Sequence, residues 1–281
     1  MILSRKGNIM IQILTEFDTC WKFINEINAD PAFSEPMLQT EEQMEDNLKS
    51  ALTSQDQLPF GVFLGGEMKG LFVFQVLKDE QYIEMQVGLS REPDAYEEMA
   101  DWLQTHYSGY QVDFVFNPKN RAIRSMLQKR EAIFFPEQIK MVLTEDTASV
   151  DLTGIEPLSE QYREQYLAVH STDVYWTGDK VANALDMFNV FLAIEDGRVV
   201  GYLDVTWNYE ENEAFDLLVR EDSRRRGWGR KLLAKAIEAN RSKGLVVFVD
   251  VDNEAAIALY RSMGFSYDPK PSSQVATWNI D

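Results

Sequence analysis

The stretch that decides the fold is Glu213-Ala214-Phe215-Asp216-Leu217-Leu218-Val219, followed after four residues by Arg224-Arg225-Arg226-Gly227-Trp228-Gly229. The first run is apolar and short, as a buried strand is. Beyond the glycines, Leu232, Leu233, Ala236 and Ile237 recur at helical spacing as far as a stop at Lys243-Gly244. Leu245-Val246-Val247-Phe248-Val249 then reads as a second buried strand. The glycines therefore sit where a strand becomes a helix. There the first helical N–H groups lack intrahelical partners and the helix dipole adds partial positive charge. Glycines let an anion approach bare backbone, and three arginines add counter-charge, so the junction reads as a pyrophosphate cradle.

Two familiar phosphate loops do not fit. No Gly-x-x-x-x-Gly-Lys-Ser/Thr run is present, and Gly227 and Gly229 lack the third glycine of a dinucleotide fingerprint. The pattern that does fit is Arg-x-x-Gly-x-Gly from Arg224 to Gly229. A second element, Asn253-Glu254-Ala255-Ala256-Ile257-Ala258-Leu259-Tyr260-Arg261-Ser262-Met263-Gly264-Phe265, follows about one helix and one strand later. In this order and spacing the pair resembles the acyl-CoA-binding half of the GNAT superfamily of N-acetyltransferases.

That resemblance implies the following roles. Leu217, Leu218 and Val219 lie along a splayed strand whose backbone pairs with the pantetheine arm of acetyl-CoA. The backbone N–H groups of Arg225, Arg226, Gly227, Trp228, Gly229 and Arg230 hold the pyrophosphate, with Arg224 as further counter-charge. Asn253 contacts the cofactor near the pantetheine, and Tyr260 is the general acid that protonates the departing CoA thiolate. From the residues alone, the blander alternatives are a packing tyrosine for Tyr260 and a solvated face for the arginines.

The chain has 281 residues, 45% of them hydrophobic, enough for two domains. Its formal charge of −19 opposes nucleic-acid binding and favours a cationic acceptor. Cys20 is the only cysteine, so no intrachain disulfide forms and a reducing, cytoplasmic setting is expected. No apolar run reaches the roughly 20 residues that cross a bilayer, and the first ten residues lack the features of a signal peptide. His106 and His170 are too few and too scattered for a Cys/His metal framework, and no metal is expected.

Strand and helix signals occur twice in the same order, giving an α/β (α+β, mixed-sheet) class built from two tandem GNAT-like acyl-CoA N-acyltransferase domains. The expected division is 10–146, a degenerate domain without a cradle, and 147–281, the acetyl-CoA-binding domain, with a polar connection at residues 145–149. A strand is expected at Val150–Leu152 and a helix at Asp179–Phe188. Thr40 and Gln43 can form a capping box, and Asp196-Gly197 is a hairpin turn. Laying Val87 on Val219 puts Glu92, Ala95 and Glu97 where Arg224, Gly227 and Gly229 stand. Asn120 falls on Asn253, Leu127 on Tyr260 and Glu131 on Gly264. Acidic residues at that helix start repel a pyrophosphate, so one acyl-CoA per chain is expected.

The implied chemistry is direct attack of an amine, of a small molecule or a peptide, on the thioester, with strand N–H groups polarising the carbonyl and Tyr260 as the acid. Candidate bases are Glu213, Asp216 and Asp204, with Glu213 preferred; strict alternation puts Asp216 and Glu213 on opposite faces. Tyr175, Trp176, Trp207 and Tyr209 read either as an acceptor wall or as packing. Two rival readings stay open: a non-catalytic acyl-CoA-binding or interaction module, and a transferase of another acyl group. Oligomeric state is not readable.

Overall fold

The computed structural model describes every residue except 1, 7, 39–40, 146–148, 173 and 271. In the first half the chain forms β1 (Ile2–Lys6), β2 (Ile9–Ile13), α1 (Trp21–Asn28), α2 (Glu41–Thr53), β3 (Gln57–Leu64), β4 (Glu67–Leu77) and β5 (Tyr82–Ser90). Then come α3 (Pro93–His106), β6 (Gln111–Phe116), α4 (Arg121–Lys129) and β7 (Ile133–Leu143). The second half holds β8 (Ile155–Pro157), α5 (Arg163–Val169), α6 (Gly178–Ala182), β9 (Phe188–Glu195), β10 (Arg198–Thr206) and β11 (Glu211–Val219). It closes with α7 (Trp228–Ala239), β12 (Gly244–Asp250), α8 (Glu254–Ser262), β13 (Phe265–Tyr267) and β14 (Ser273–Asn279). The element order is mixed α/β in both halves. Among the described residues no helix is long and apolar enough to cross a membrane.

Two compact units result. The first holds residues 1–138 together with 270–281, and the second residues 139–269. Counting repeats along the sequence suggests a cut at 146/147. The units differ from that cut because β14 pairs along its length with β6, Gln274 opposite Phe116 through Asn279 opposite Gln111.

In the first unit β2 to β5 form an antiparallel run, and β5 continues to β6 in parallel. The parallel ladder spans only Tyr82 to Met85, so β5 and β6 part beyond Met85 and Phe114. Phe60, Phe72, Phe74 and Phe114 on one sheet face pack with Tyr96, Met99 and Leu103 of α3 to make the core. Each is fully or almost fully withdrawn from water, and apolar burial of this kind stabilises by roughly 25 cal/mol per Å².

The second unit repeats the arrangement. β9, β10 and β11 are antiparallel, with β8 beside β9. β11 meets β12 in parallel over only Glu211, Asn212 and Glu213. Past Glu213 and Val246 the two strands splay, which frees the β12-side edge of β11. Leu232, Leu233, Ala236 and Ile237 of α7 pack beneath the sheet with Val247 and Val249. The hairpin turn is of the expected kind, with Asp196 at φ 50° and Gly197 at φ 76°, both left-handed as the strand twist demands.

Several sequence expectations need correction. No strand forms at Val150–Leu152. The Asp151 carboxylate accepts the Thr153 N–H at 3.0 Å and its hydroxyl at 2.7 Å, which bends the chain so that β8 begins only at Ile155. The helix expected over Asp179–Phe188 stops at Ala182, because Phe188 is drawn into β9 opposite Thr206 and is buried there. β1 and β13 carry too few residues to show as periodic runs and were not expected. The Thr40–Gln43 capping box and most of the 145–149 connection lie outside the described residues.

The two strand-to-helix junctions differ in length as well as in sequence. Between β11 and α7 lie eight residues, 220–227, whereas between β5 and α3 lie only Arg91 and Glu92. Glu92 is the N-cap of α3, as Gly227 is of α7, so Glu92 stands at the place of Gly227 and the alignment through Val87 is three residues off there. It holds at the later helix. Asn120 and Asn253 both cap their helices, and Glu131 and Gly264 both have positive φ, 55° and 86°.

Candidate active site

The strand-to-helix junction expected to hold a pyrophosphate is built by local backbone geometry. After β11 a short 3-10 turn over Glu221–Ser223 leads to Arg225 at φ 65° and Gly227 at φ 87°. Both left-handed residues turn the chain so that successive N–H groups converge. Among the described residues no backbone carbonyl accepts from the N–H groups of residues 225–230, and the first helical bond is that of Lys231 to the Gly227 carbonyl at 3.1 Å. A Cβ on Gly227 would meet nothing within 4 Å, so it would project into open space, but from a left-handed backbone. Gly229 serves differently: a Cβ there would lie 3.3 Å from Leu259, so its absence lets α7 approach α8. Arg224 is tied to the Val219 carbonyl at 3.0 Å, Arg226 to Glu195 at 2.8 Å, and Arg230 to Ser262 at 2.7 Å. Among the described residues the Arg225 side chain has no partner, which leaves it for an anion. The donors and the glycine fit a pyrophosphate.

Leu217, Leu218 and Val219 lie on the splayed edge. Leu218 and Val219 pair with Tyr202 and Gly201 of β10 on the other side. Asn253 uses its side-chain oxygen to accept the Ala256 N–H at 3.1 Å, as a helix cap.

Tyr260 on α8 is 7% exposed, with its ring against Phe265 at 5.8 Å. Burial first, then the negative charges of Asp216 and Glu213, push its hydroxyl up to about 12. Strict alternation along β11 would put these two carboxylates on opposite faces, and the ladder departs from it. The reason is a bulge: Asp204 pairs with Asp216 while Val205 pairs with Ala214, leaving Phe215 as the extra residue. Its insertion puts Glu213 and Asp216 on one face of β11. Burial raises the Glu213 carboxyl to about 7, opposed by the charge of Lys140.

A network invisible to the sequence reading surrounds Asp204, which is wholly buried. The Tyr166 hydroxyl donates to its two oxygens at 3.0 and 3.1 Å, and His170 Nε2 lies 2.8 Å from Oδ2. His170 Nε2 is also 3.9 Å from Asp216 Oδ2, to which the Tyr202 hydroxyl donates at 2.6 Å. The His170 and Tyr202 rings stack at 4.6 Å. Asp204 is thus a held carboxylate with no access to an acceptor. Its only sequence signal is a lone acidic residue within Val199–Thr206, an otherwise apolar strand. The imidazole and two carboxylates gather within 4.8 Å, a grouping able to hold a cation, although their polar atoms are engaged with one another and the two tyrosines.

The aromatic residues divide. Trp207, Tyr209 and Phe215 stand exposed, while Trp176 packs on Phe188 at 5.0 Å and Lys180 lies 3.8 Å above Tyr175.

Residues 155–265 match the model of the acetyltransferase (GNAT) family. The chain is 33% identical over 85 residues to a mycothiol acetyltransferase of Streptomyces coelicolor, covering 28% of each protein. It is 36% identical over 74 residues to a [ribosomal protein bS18]-alanine N-acetyltransferase of Salmonella typhimurium, over 25% of this chain and 50% of that one. The matches thus span half or less of those relatives' own length. In fold, a GCN5-related N-acetyltransferase from Sphaerobacter thermophilus superposes with TM-score 0.62 at 13% identity, over 99% and 97% of the two chains. A tandem GNAT protein from the clavulanic acid biosynthesis pathway does so with TM-score 0.54 at 11% identity, over 96% and 97%.

Proposed function

We infer that this chain, a tandem GNAT-fold protein whose residues 155–265 belong to the GNAT acetyltransferase family, transfers an acetyl group from acetyl-CoA to a primary amine. The observation that carries this reading is the coincidence, in one unit, of the unpaired β11 edge, the unbonded amides of residues 225–230, and the buried Tyr260 of α8 under the charge of two carboxylates. The pyrophosphate binds the amides and Arg225, and the pantetheine arm lies along Leu217, Leu218 and Val219. Asn253 flanks that arm. The thioester then lies at the splay, where N–H groups of β11 polarise its carbonyl.

Glu213, with a carboxyl near 7, takes a proton from the incoming ammonium group at neutral pH. The nitrogen attacks, the C–S bond breaks, and Tyr260 protonates sulfur. Because the charge on Glu213 contributes to holding the Tyr260 proton, neutralising Glu213 makes Tyr260 a stronger acid as the leaving group departs. Base and acid are coupled in the useful direction.

The acceptor is cationic in this reading, supported by the net charge of −19 and by Glu210, Glu211 and Glu213 beside exposed Trp207 and Tyr209. A peptide α-amine and a small amine both fit that chemistry, and each has a counterpart among the relatives by name.

The first unit acts without acyl-CoA. Two facts support this: its two-residue junction leaves no loop for a cradle, and Glu35 occupies the splay. The Glu35 carboxylate accepts the Gly88 N–H at 2.7 Å, on the strand edge corresponding to the free edge of β11. The test is thiol release from acetyl-CoA across a panel of primary amines. Release with one of them supports transfer, whereas acetyl-CoA binding without release from any favours the non-catalytic reading.

A further inference from the structure

The stoichiometry of amide formation leaves one proton unassigned. An acceptor enters as R–NH3⁺ and leaves as R–NH–CO–CH3, so its nitrogen gives up two protons, while sulfur gains one. Glu213 accounts for the first of the nitrogen's protons, released afterwards to water. Tyr260 supplies the sulfur and must itself be restored before the next turnover. Something has to take the second proton from nitrogen and something has to recharge the phenolate.

We propose that the second proton passes to Asp216 and that His170, clamped by Asp204, is the positioning residue that holds it and returns it through Asp216 to Tyr260. This rests on the transfer reading above, and three geometrical features of the second unit support it. Asp216 is the partly open member of the network, with 23% of its side chain exposed, while those of His170 and Asp204 are 1% and 0% exposed. Apart from geometry, the negative charge of Asp216 is one of the causes that raise the Tyr260 phenol. His170 Nδ1 lies 2.9 Å from the Ser171 carbonyl, which can only accept, so Nδ1 carries hydrogen. The other nitrogen, Nε2, faces two carboxylates at 2.8 and 3.9 Å, an arrangement that favours a proton there too.

The groups facing His170 are Tyr166 from α5, Tyr202 and Asp204 from β10 and Asp216 from β11, with no cation among them in the described residues. Burial disfavours the imidazolium, but the Asp204 hydrogen bond, the Ser171 carbonyl and the two carboxylate charges outweigh it, and His170 titrates above its ordinary 6.5. A phenolate whose conjugate acid lies near 12 takes a proton from that imidazolium downhill. The cycle then balances. The C–N bond forms and the C–S bond breaks with its electron pair on sulfur. Tyr260 gives H⁺ to sulfur, His170 gives H⁺ by way of Asp216 to Tyr260, and the nitrogen's second H⁺ reloads His170 by the same route. One net H⁺ leaves from Glu213.

His170 is empty once pH rises past its raised pKa, so turnover should fall on that side. The experiment has two arms on the full chain. In the first, isotope-edited NMR follows the imidazole of His170 through pH. Its midpoint should lie above the ordinary 6.5, and Asp216→Asn should lower it; a midpoint at or below 6.5 overturns the proposal. In the second, thiol release from acetyl-CoA is followed from pH 6 to 9 with spermidine, a lysyl peptide and an alanyl peptide as amines. His170→Gln should lower kcat about tenfold at neutral pH, abolish the falling limb and leave the KM for acetyl-CoA unchanged. Tyr202→Phe, which keeps the stacked ring and removes the hydroxyl on Asp216, should show a smaller loss of the same kind. If the wild type turns over and both variants keep its pH profile, the relay falls and the transfer reading stands. If the wild type releases no thiol from any of the three, the transfer reading falls and takes the relay with it.

Discussion

Replacing Glu213 by Gln tests the assignment of the base. The perturbation is nearly isosteric and removes one carboxylate whose ionisation lies at about 7. If Glu213 must be ionised to take the amine proton, the active fraction is about a tenth at pH 6, half at pH 7 and nine-tenths at pH 8, following simple titration. The wild-type kcat/KM should therefore climb nearly tenfold from pH 6 to 8. Tyr260 does not interfere, because its own titration lies out near 12. In Glu213→Gln that rise should disappear, and the rate at pH 8 should drop by about 10²- to 10⁴-fold, the usual worth of a positioned base. Removal of its charge also relieves Tyr260, so any alkaline loss due to the phenol should move to lower pH. The assay is thiol release from saturating acetyl-CoA at limiting amine. A variant that keeps the same rise between pH 6 and 8, even at reduced rate, would remove Glu213 from the role.

Other consequences follow from the same geometry. Tyr260→Phe should lower kcat by a factor on the order of 10² to 10⁴ and leave acetyl-CoA affinity nearly unchanged, since in the proposed reaction the hydroxyl serves the leaving group; calorimetric binding beside turnover separates the two. Gly227→Glu should abolish acetyl-CoA binding, because a left-handed residue at φ 87° would acquire both a strained side chain and a negative charge in the cradle. In the first unit, burial lifts Glu35 to about 8 against the pull of the Gly88 and Met37 amides. The folded state then holds a proton that the unfolded chain has lost between about 4.5 and 8, so this residue's contribution to stability falls as pH rises through that window. The loss is at most roughly 5 kcal/mol, and Glu35→Gln should flatten it, as urea unfolding at pH 6 and 8.5 would record.

Much of the fold was legible because its signals are local. Strand-length apolar runs, the Asp196-Gly197 turn, the Pro93 helix start and the Asn120 and Asn253 caps each act within a few residues. The strand-to-helix junction at Gly227 was legible for the same reason, since φ there and the helix start are set by the residues around them. What failed depends on distance along the chain. The pairing of β14 with β6 joins residues more than 150 positions apart, and nothing in either strand names its partner. The bulge at Phe215 puts Glu213 and Asp216, expected on opposite faces, on one face, and comes from the β10 register. His170, dismissed as a scattered histidine, meets Asp204 only because α5 packs on β10.

The measurement that bears most directly on the central reading is calorimetric titration of the full chain with acetyl-CoA, recording stoichiometry with affinity. The expected result is one site per chain, lost in Gly227→Glu. Two sites, or one site indifferent to Gly227→Glu, would contradict the assignment of the cradle to the β11–α7 junction.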